Sequence, residues 1–330
     1  MSTRFQRGLI VGKFCPLHHG HEHAIRQMMA ACEKPFILSY TNPGFEGCEP
    51  EKRQRWLKTL FPAATVLVLP AADVPHNDAD ELTHRRFVGD ICRDVFQTTV
   101  DAVFTSEDYG EGFARELSRM FGHAVRHVSV DPGRVTHPVS GTLLRAEVHA
   151  KRAHLSPVVY ADFAQRICLF GGESTGKSTL TAALARHLQT RQVDEYGREL
   201  WEKKDGKLEY EDMLHIGQTQ VRRENEAAGH ANRFLFCDTS PLTTLFYSHA
   251  LFGKAEEELE KLSVRPYALH ILCTPDFPFI QDGTRQDETF RMRQDAWYRA
   301  ELGRQGLRWI EVGGTVEERV KRVVAALASL

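Results

Sequence analysis

Ile167-Cys168-Leu169-Phe170-Gly171-Gly172-Glu173-Ser174-Thr175-Gly176-Lys177-Ser178 decides the fold of the second half of the chain. Four apolar residues followed by glycines read as a short buried strand. Residues Gly171 to Ser178 complete the pattern GxxxxGK(S/T), and 179–188 continue with helical spacing. Strand, glycine-containing loop and helix in that order form a phosphate cradle. Backbone amides surround the phosphates, Lys177 reaches the β and γ oxygens, and Ser178 ligates magnesium. Gly171, Gly172, Glu173, Ser174, Thr175, Gly176, Lys177 and Ser178 are therefore the expected ATP-binding residues of this half, with Lys177 catalytic.

Three segments downstream extend that reading. Phe234-Leu235-Phe236-Cys237-Asp238 is an apolar strand ending in a carboxylate. P-loop enzymes keep a magnesium-linked Asp at such a place, so Asp238 joins Ser178 as an expected magnesium ligand. The same carboxylate also suits a cap for a helix near Pro241. Val193-Asp194-Glu195-Tyr196-Gly197-Arg198-Glu199-Leu200-Trp201 offers acceptors for ribose hydroxyls, and Tyr196 and Trp201 offer flat faces for a base. Either Asp194 or Glu195 suits the acceptor of a proton from an attacking 5′-hydroxyl. Gln281-Asp282-Gly283-Thr284-Arg285 reads as a lid, with Arg285 or Arg291 closing on the transferred phosphate, or as an ordinary exposed loop.

The first half opens on a different signature. Arg7-Gly8-Leu9-Ile10-Val11 supplies a strand, and Gly12-Lys13-Phe14-Cys15-Pro16-Leu17-His18-His19-Gly20-His21 follows. A helix starting near Gly20 or His21 sets its positive end beside a phosphate chain. His18 and His21, three apart, share one side of the first turn and can donate to phosphate oxygens. Later, Val139-Ser140-Gly141-Thr142-Leu143-Leu144-Arg145 brings two hydroxyls and a guanidinium to another helix start. The hydroxyls suit a helix cap or a phosphate, and Arg145 can clamp a triphosphate. Arg53, Arg55 and Trp56 form a basic-aromatic cluster. It suits either a mononucleotide site with a stacking indole or an amphipathic surface helix.

Between these motifs, short β-like runs alternate with helical patterns. Strands are expected at residues 8–11, 36–40, 65–69, 102–105 and 125–130, then at 167–170, 234–237, 268–273 and 308–312. Helices are expected at 21–31, 80–96, 111–121 and 315–330, the last with a buried stripe of Val316, Val320, Val323, Val324 and Leu327. This alternation predicts an α/β protein with two doubly wound parallel-sheet domains. Their boundary is expected near residue 160, giving domains 1–160 and 161–330.

The 330 residues suit about two domains. Hydrophobic residues at 42% and charged residues at 26% are an ordinary globular balance. A net charge of −2 argues against a broad nucleic-acid surface. No run approaches the ~18 apolar residues of a membrane span, and no signal-peptide core follows Met1. Seven scattered cysteines without a CxxC pair suit a reducing cytoplasm. A homo-oligomer is compatible with all of this.

The two motif pairs carry a resemblance. The HxGH run with Ser140, Thr142 and Arg145 resembles the nucleotidylyltransferase superfamily. Phe104-Thr105-Ser106-Glu107-Asp108-Tyr109-Gly110 and Val130-Asp131-Pro132-Gly133-Arg134 resemble nicotinamide-nucleotide adenylyltransferases of the NadR type. The second half resembles the ribosylnicotinamide kinase domain of the same proteins, so the resemblance covers nearly the whole chain. It implies a Rossmann-like HxGH domain binding ATP through Gly12, Lys13, Phe14, His18, His21, Ser140, Thr142 and Arg145. It implies a P-loop kinase domain after it, magnesium, and ATP as co-substrate of both. It also implies a bifunctional enzyme of NAD biosynthesis and pyridine nucleotide salvage: nicotinamide riboside becomes its mononucleotide, then NAD and pyrophosphate. His18, His21, Arg145, Lys177, Asp238 and Arg285 would be catalytic; Arg53, Trp56, Asp194, Glu195, Tyr196 and Trp201 would bind substrate. Some NadR-type proteins begin with a helix-turn-helix domain. The first motif here starts by residue 12, so DNA binding is not expected. Alternatives are another nucleoside kinase joined to another nucleotidylyltransferase, and a nucleotide-sensing regulator.

Overall fold

The computed structural model describes residues 4–276 and 287–330. The chain divides into two compact units, Met1–Phe163 and Ala164–Leu330. Each is an α/β unit built on one five-stranded parallel sheet.

The first unit runs β1 (Phe5–Gly12), α1 (His19–Ala31), β2 (Cys32–Ser39), α2 (Pro50–Leu60), β3 (Thr65–Val68), α3 (Glu81–Asp90), β4 (Ala102–Thr105), α4 (Gly110–Phe121), β5 (Arg126–Ser129), α5 (Gly141–Ala146) and α6 (Pro157–Tyr160). Its strand order is β3-β2-β1-β4-β5. The chain winds outward from β1 through β2 to β3, then crosses to β4 and β5 on the other side. Loops leaving β1 and β4 therefore part at their carboxyl ends, which opens a crevice there. Phe113, Ala114 and Leu117 of α4 and Val88 of α3 pack on Leu9, Leu38 and Val103 of the sheet. Helix α4 presents those residues on one face and stops at Gly122, which takes the left-handed conformation with φ 73°. The helix expected at 80–96 has two parts, α3 and a wide π-type turn at Ile91–Val95.

The second unit runs β6 (Gln165–Phe170), α7 (Lys177–His187), β7 (Gln192–Val193), α8 (Tyr196–Lys203), α9 (Tyr210–Ala228), β8 (Phe234–Asp238), α10 (Pro241–Phe252), α11 (Glu257–Ser263), β9 (Leu269–Cys273), α12 (Glu288–Arg304), β10 (Trp309–Val312) and α13 (Val316–Leu327). The order is β10-β9-β6-β8-β7, with β6 central. Its alternate residues serve two cores, which is why Ile167–Phe170 is apolar on both faces. Ile167 and Leu169 meet Leu180 and Leu184 of α7 and Val323 and Leu327 of α13. Cys168 and Phe170 meet Met213 and Ile216 of α9, Leu242 of α10 and Tyr298 of α12.

Helix α13 starts one residue later than expected because Thr315 caps it. Thr315 and Glu318 each accept the other's backbone N–H, forming a capping box. Val320, Val323, Val324 and Leu327 pack inward, whereas Val316 is exposed. All seven cysteines are free and buried. Among the described residues no helix is long and apolar enough to cross a membrane.

Candidate functional site

In the first unit a cavity of about 650 Å³ opens at the carboxyl ends of β1 and β4. Gly12, Lys13, Phe14, His18, His21, Ser140, Thr142 and Arg145 all line it. Gly12 has a steric reason to be glycine. Phe14 has φ +50°, and its ring folds back to within 2.8 Å of where a Gly12 Cβ would sit. The same ring meets His21 edge-on, with centroids 5.1 Å apart.

His18 caps α1. Its Nδ1 accepts the backbone N–H of His21 at 3.3 Å, so the neutral ring carries its proton on Nε2. The His18 and His21 rings stack 3.6 Å apart. Burial, with Arg134 and other histidines nearby, pushes the His18 imidazolium down to about 3. Burial and then His18 hold His21 well below the usual histidine range. Both rings are therefore neutral at physiological pH.

Ser140 Oγ caps α5 by accepting Leu143 N–H at 3.2 Å. No acidic residue occupies the first turn of α5, so its positive end remains open to an anion. Arg145 spans the cavity wall. One Nη donates to the Cys15 carbonyl at 2.6 Å, the other to Thr142 Oγ1 at 3.1 Å, and its guanidinium lies 4.1 Å from the Phe45 ring centre.

Arg53 and Trp56 do not line this cavity. Arg53 is 1% exposed and donates to the Cys48 and Lys13 carbonyls and to Ser39 Oγ at 3.1, 3.3 and 2.6 Å. It ties loops together from inside. Trp56 is wholly buried; its Nε1 donates to Asp162 at 2.6 Å, and Arg55 pairs with the same carboxylate. The stacking role expected of Trp56 is thus corrected: no face of the indole is open to a ligand. Aromatic groups that do line the cavity include Phe14, Tyr40, Phe45 and Tyr109. Tyr40 hydroxyl meets His84 Nδ1 at 3.1 Å. Both were missed because Tyr40 reads as the end of a buried strand and His84 as one position of a helical pattern.

In the second unit a cavity of about 280 Å³ sits over the loop after β6. Glu173, Ser174, Thr175, Gly176, Lys177 and Ser178 line it; Gly171 and Gly172, also expected there, do not. Gly176 has φ 80°, a left-handed turn that aims α7 at the cavity, and the first turn of α7 holds no acid. Thr175 Oγ1 donates to the Gly172 carbonyl at 2.8 Å, and Lys177 Nζ to the same oxygen at 3.0 Å.

Asp238 ends β8 and is 2% exposed. Burial raises its carboxyl above the usual range, against Lys177 and a hydrogen bond from Ser178. Its Oδ1 is buried without a partner among the described residues. A hard cation fits there, with one carboxylate and one hydroxyl from the protein and phosphate oxygens as further ligands.

Glu195 lines the cavity, whereas Asp194 is exposed and accepts Gln192 Nε2 at 2.8 Å. Burial and then the Asp238 charge push the Glu195 carboxyl up to about 7, opposed by Lys177 and Arg198. Trp201 lines the cavity, but Tyr196 does not. The Tyr196 ring is buried, its hydroxyl meets His215 Nε2 at 3.0 Å, and Arg223 covers a face, so its expected contact with a base is corrected too. Tyr247 was missed; it lines the cavity and donates to Glu173 at 3.0 Å. Arg291, on α12, is buried and donates to the Pro275 carbonyl at 2.5 Å, while its backbone crowds Gly172. Arg285 and the rest of residues 281–285 lie outside the described residues.

Residues 166–319 match a family model described as an AAA domain. The trifunctional NAD biosynthesis/regulator protein NadR of Escherichia coli is 26% identical over 305 residues, covering 84% of this chain and 71% of that protein. Its Salmonella typhimurium counterpart is 25% identical, with the same shares covered. Two solved structures of a NadR protein share the fold. One, in complex with NAD and AMP-PNP, has a TM-score of 0.71 at 20% identity, over 98% of this chain and 96% of that one. The other, in complex with NR, has a TM-score of 0.73 at 19% identity, over 100% and 97%.

The burial of Trp56 separates a structural role from a ligand role. Trp56→Leu removes both aromatic faces, leaves a cavity and strips Asp162 of its indole donor, and should destabilise the protein by about 2–5 kcal/mol in denaturant unfolding. The KM for a pyridine mononucleotide should stay within about twofold, against the roughly tenfold rise that loss of a ring-stacking contact brings.

Proposed function

We propose that the chain is a bifunctional NAD salvage enzyme: a magnesium-dependent ribosylnicotinamide kinase in the second unit and a nicotinamide-nucleotide adenylyltransferase in the first. The observation that carries this reading is the occurrence, in one chain, of two cavities each built around its own phosphate-binding loop and helix start. The NadR relatives support the choice of pathway.

In the kinase, the 5′-hydroxyl of nicotinamide riboside attacks the γ-phosphorus of ATP, the bond from that phosphorus to the β,γ-bridging oxygen breaks, ADP leaves with the electron pair, and the hydroxyl proton passes to Glu195. Lys177 holds the β and γ oxygens, and the amides of the loop cradle the chain of phosphates. Ser178 and Asp238 hold magnesium. When bound, the ion neutralises negative charge on the β and γ phosphates. Trp201 and Tyr247 offer aromatic faces, which suit the positively charged pyridine ring of the riboside.

In the transferase, ATP lies across His18, His21 and Arg145. The mononucleotide phosphate attacks the α-phosphorus in line, and pyrophosphate leaves. Catalysis here is positioning and charge stabilisation, with no covalent intermediate on the protein. Neutral His18 donates through Nε2–H, and the approach of a polyphosphate raises the proton affinity of both rings. Arg145 and the open end of α5 take the outer phosphates.

The two sites should be separable. Lys177→Ala should lower riboside phosphorylation by roughly 10²–10³-fold while leaving adenylylation of added mononucleotide within about twofold. His21→Ala should do the reverse. A folded variant that loses both activities would sink the two-site reading.

Glu195 supplies a pH signature. A base must be ionised to act, so kcat/KM for the riboside should climb as pH rises through about 7 and level off above it. Glu195→Gln should lower kcat by about 10²–10⁴-fold and remove that limb. An identical acid limb in Glu195→Gln would assign it to another group.

A further inference from the structure

The carbonyl of Thr175 faces away from the second cavity, toward a buried guanidinium. Arg319, on α13, is 1% exposed and donates through Nη1 to Thr175 O at 2.7 Å. Its Nε donates to Gly314 O at 3.0 Å, in the turn between β10 and α13. Its other Nη donates to Thr274 O at 3.4 Å and pairs with Asp276, just past β9. Asp276 also accepts Gly314 N–H. One planar fork thus joins three chain segments at fixed angles, which a lysine's single ammonium cannot reproduce.

The peptide joining Thr175 to Gly176 is planar, with its C=O and N–H pointing in opposite directions. Holding the Thr175 carbonyl on Arg319 therefore turns the Gly176 N–H the other way. Gly176 lines the cavity and Arg319 does not, so that N–H faces the place of the phosphates. Thr175 is itself wholly buried, with its hydroxyl committed to Gly172, so the guanidinium is what fixes this peptide from behind. An amide held in this way needs no reorganisation when ATP arrives.

We propose that Arg319 is a positioning residue for phosphoryl transfer, clamping the Thr175–Gly176 peptide so that the Gly176 N–H is aimed at the phosphates of ATP. This rests on the kinase reading of the second cavity. The effect is specific to one substrate: it changes how ATP is held and leaves the nucleoside end untouched. A helix anchor without this function lowers stability and moves neither KM selectively.

The test compares wild type, Arg319→Lys and Arg319→Met in riboside phosphorylation, with ATP and riboside varied in turn. Thermal melting and adenylylation of added mononucleotide report folding. Arg319→Met should raise the KM for ATP at least about tenfold, the scale of one charge-assisted hydrogen bond, with the riboside KM within about twofold. Arg319→Lys should recover part of the loss. A normal KM for ATP in folded Arg319→Met, or equal rises for both substrates, overturns the proposal. If Arg319→Met does not fold, Arg319→Lys decides alone: a selective rise in the ATP KM supports the clamp, and parity with wild type overturns it. Wild type that phosphorylates no riboside removes the kinase reading only. The clamp is then read from equilibrium binding of a fluorescent ATP analogue in a His21→Ala background, where weaker binding on adding Arg319→Lys supports it and equal binding overturns it.

Discussion

Backbone amides that bind phosphate have to point into empty space before any phosphate arrives. On the proposed function, that constraint shapes both units. An amide left to itself turns toward the nearest carbonyl, so each loop must be held open from outside. In the first unit the loop after β1 is held by Arg53, which binds the Lys13 carbonyl from within the core, and by Arg145, which binds the Cys15 carbonyl. In the second, Arg319 binds the Thr175 carbonyl of the loop after β6. Arg53 and Arg319 thus act on loop carbonyls from inside the protein, whereas Arg145 holds the Cys15 carbonyl from the cavity wall.

The sheets supply the space. Each has its first strand flanked on both sides by later ones, β1 by β2 and β4, β6 by β8 and β9. Connections leave such a strand in diverging directions, so the crevice at its carboxyl end is a product of topology. The electrostatics are then set differently in the two cavities. Burial keeps His18 and His21 neutral, which suits donation to phosphate without a fixed charge. In the other cavity burial raises Asp238 and Glu195, so two nearby carboxyls with distinct surroundings suit distinct tasks, cation binding and proton acceptance.

Much of this was legible in the residues. The central strands announced themselves because each is bounded by glycine and, for β6, apolar on both faces. The eight residues around the HxGH and Ser140–Arg145 motifs meet in one cavity because chain order and sheet order bring the start of α1 and the start of α5 to the same crevice. Other features were not legible, for physical reasons. Helix α9 buries Thr219, Gln220 and Glu224 alongside Met213 and Ile216, so its inner face has no hydrophobic stripe to read. Arg53 and Trp56 have the composition of a ligand site, but their polar atoms are satisfied inside the protein by carbonyls, a serine and Asp162. Composition carries no information about which partner a guanidinium finds. Choosing Glu195 over Asp194 required knowing that β7 stops at Val193 and that Glu195 lies in the cavity while Asp194 is exposed.

The central claim is that one chain performs two consecutive transfers, and a single time course tests it most directly. Purified protein is incubated with magnesium-ATP and nicotinamide riboside, and products are separated at intervals. Mononucleotide should form first and NAD should follow at its expense, with pyrophosphate released in step. Mononucleotide that accumulates without NAD under excess ATP would contradict the second transfer, and a riboside that is never consumed would contradict the first.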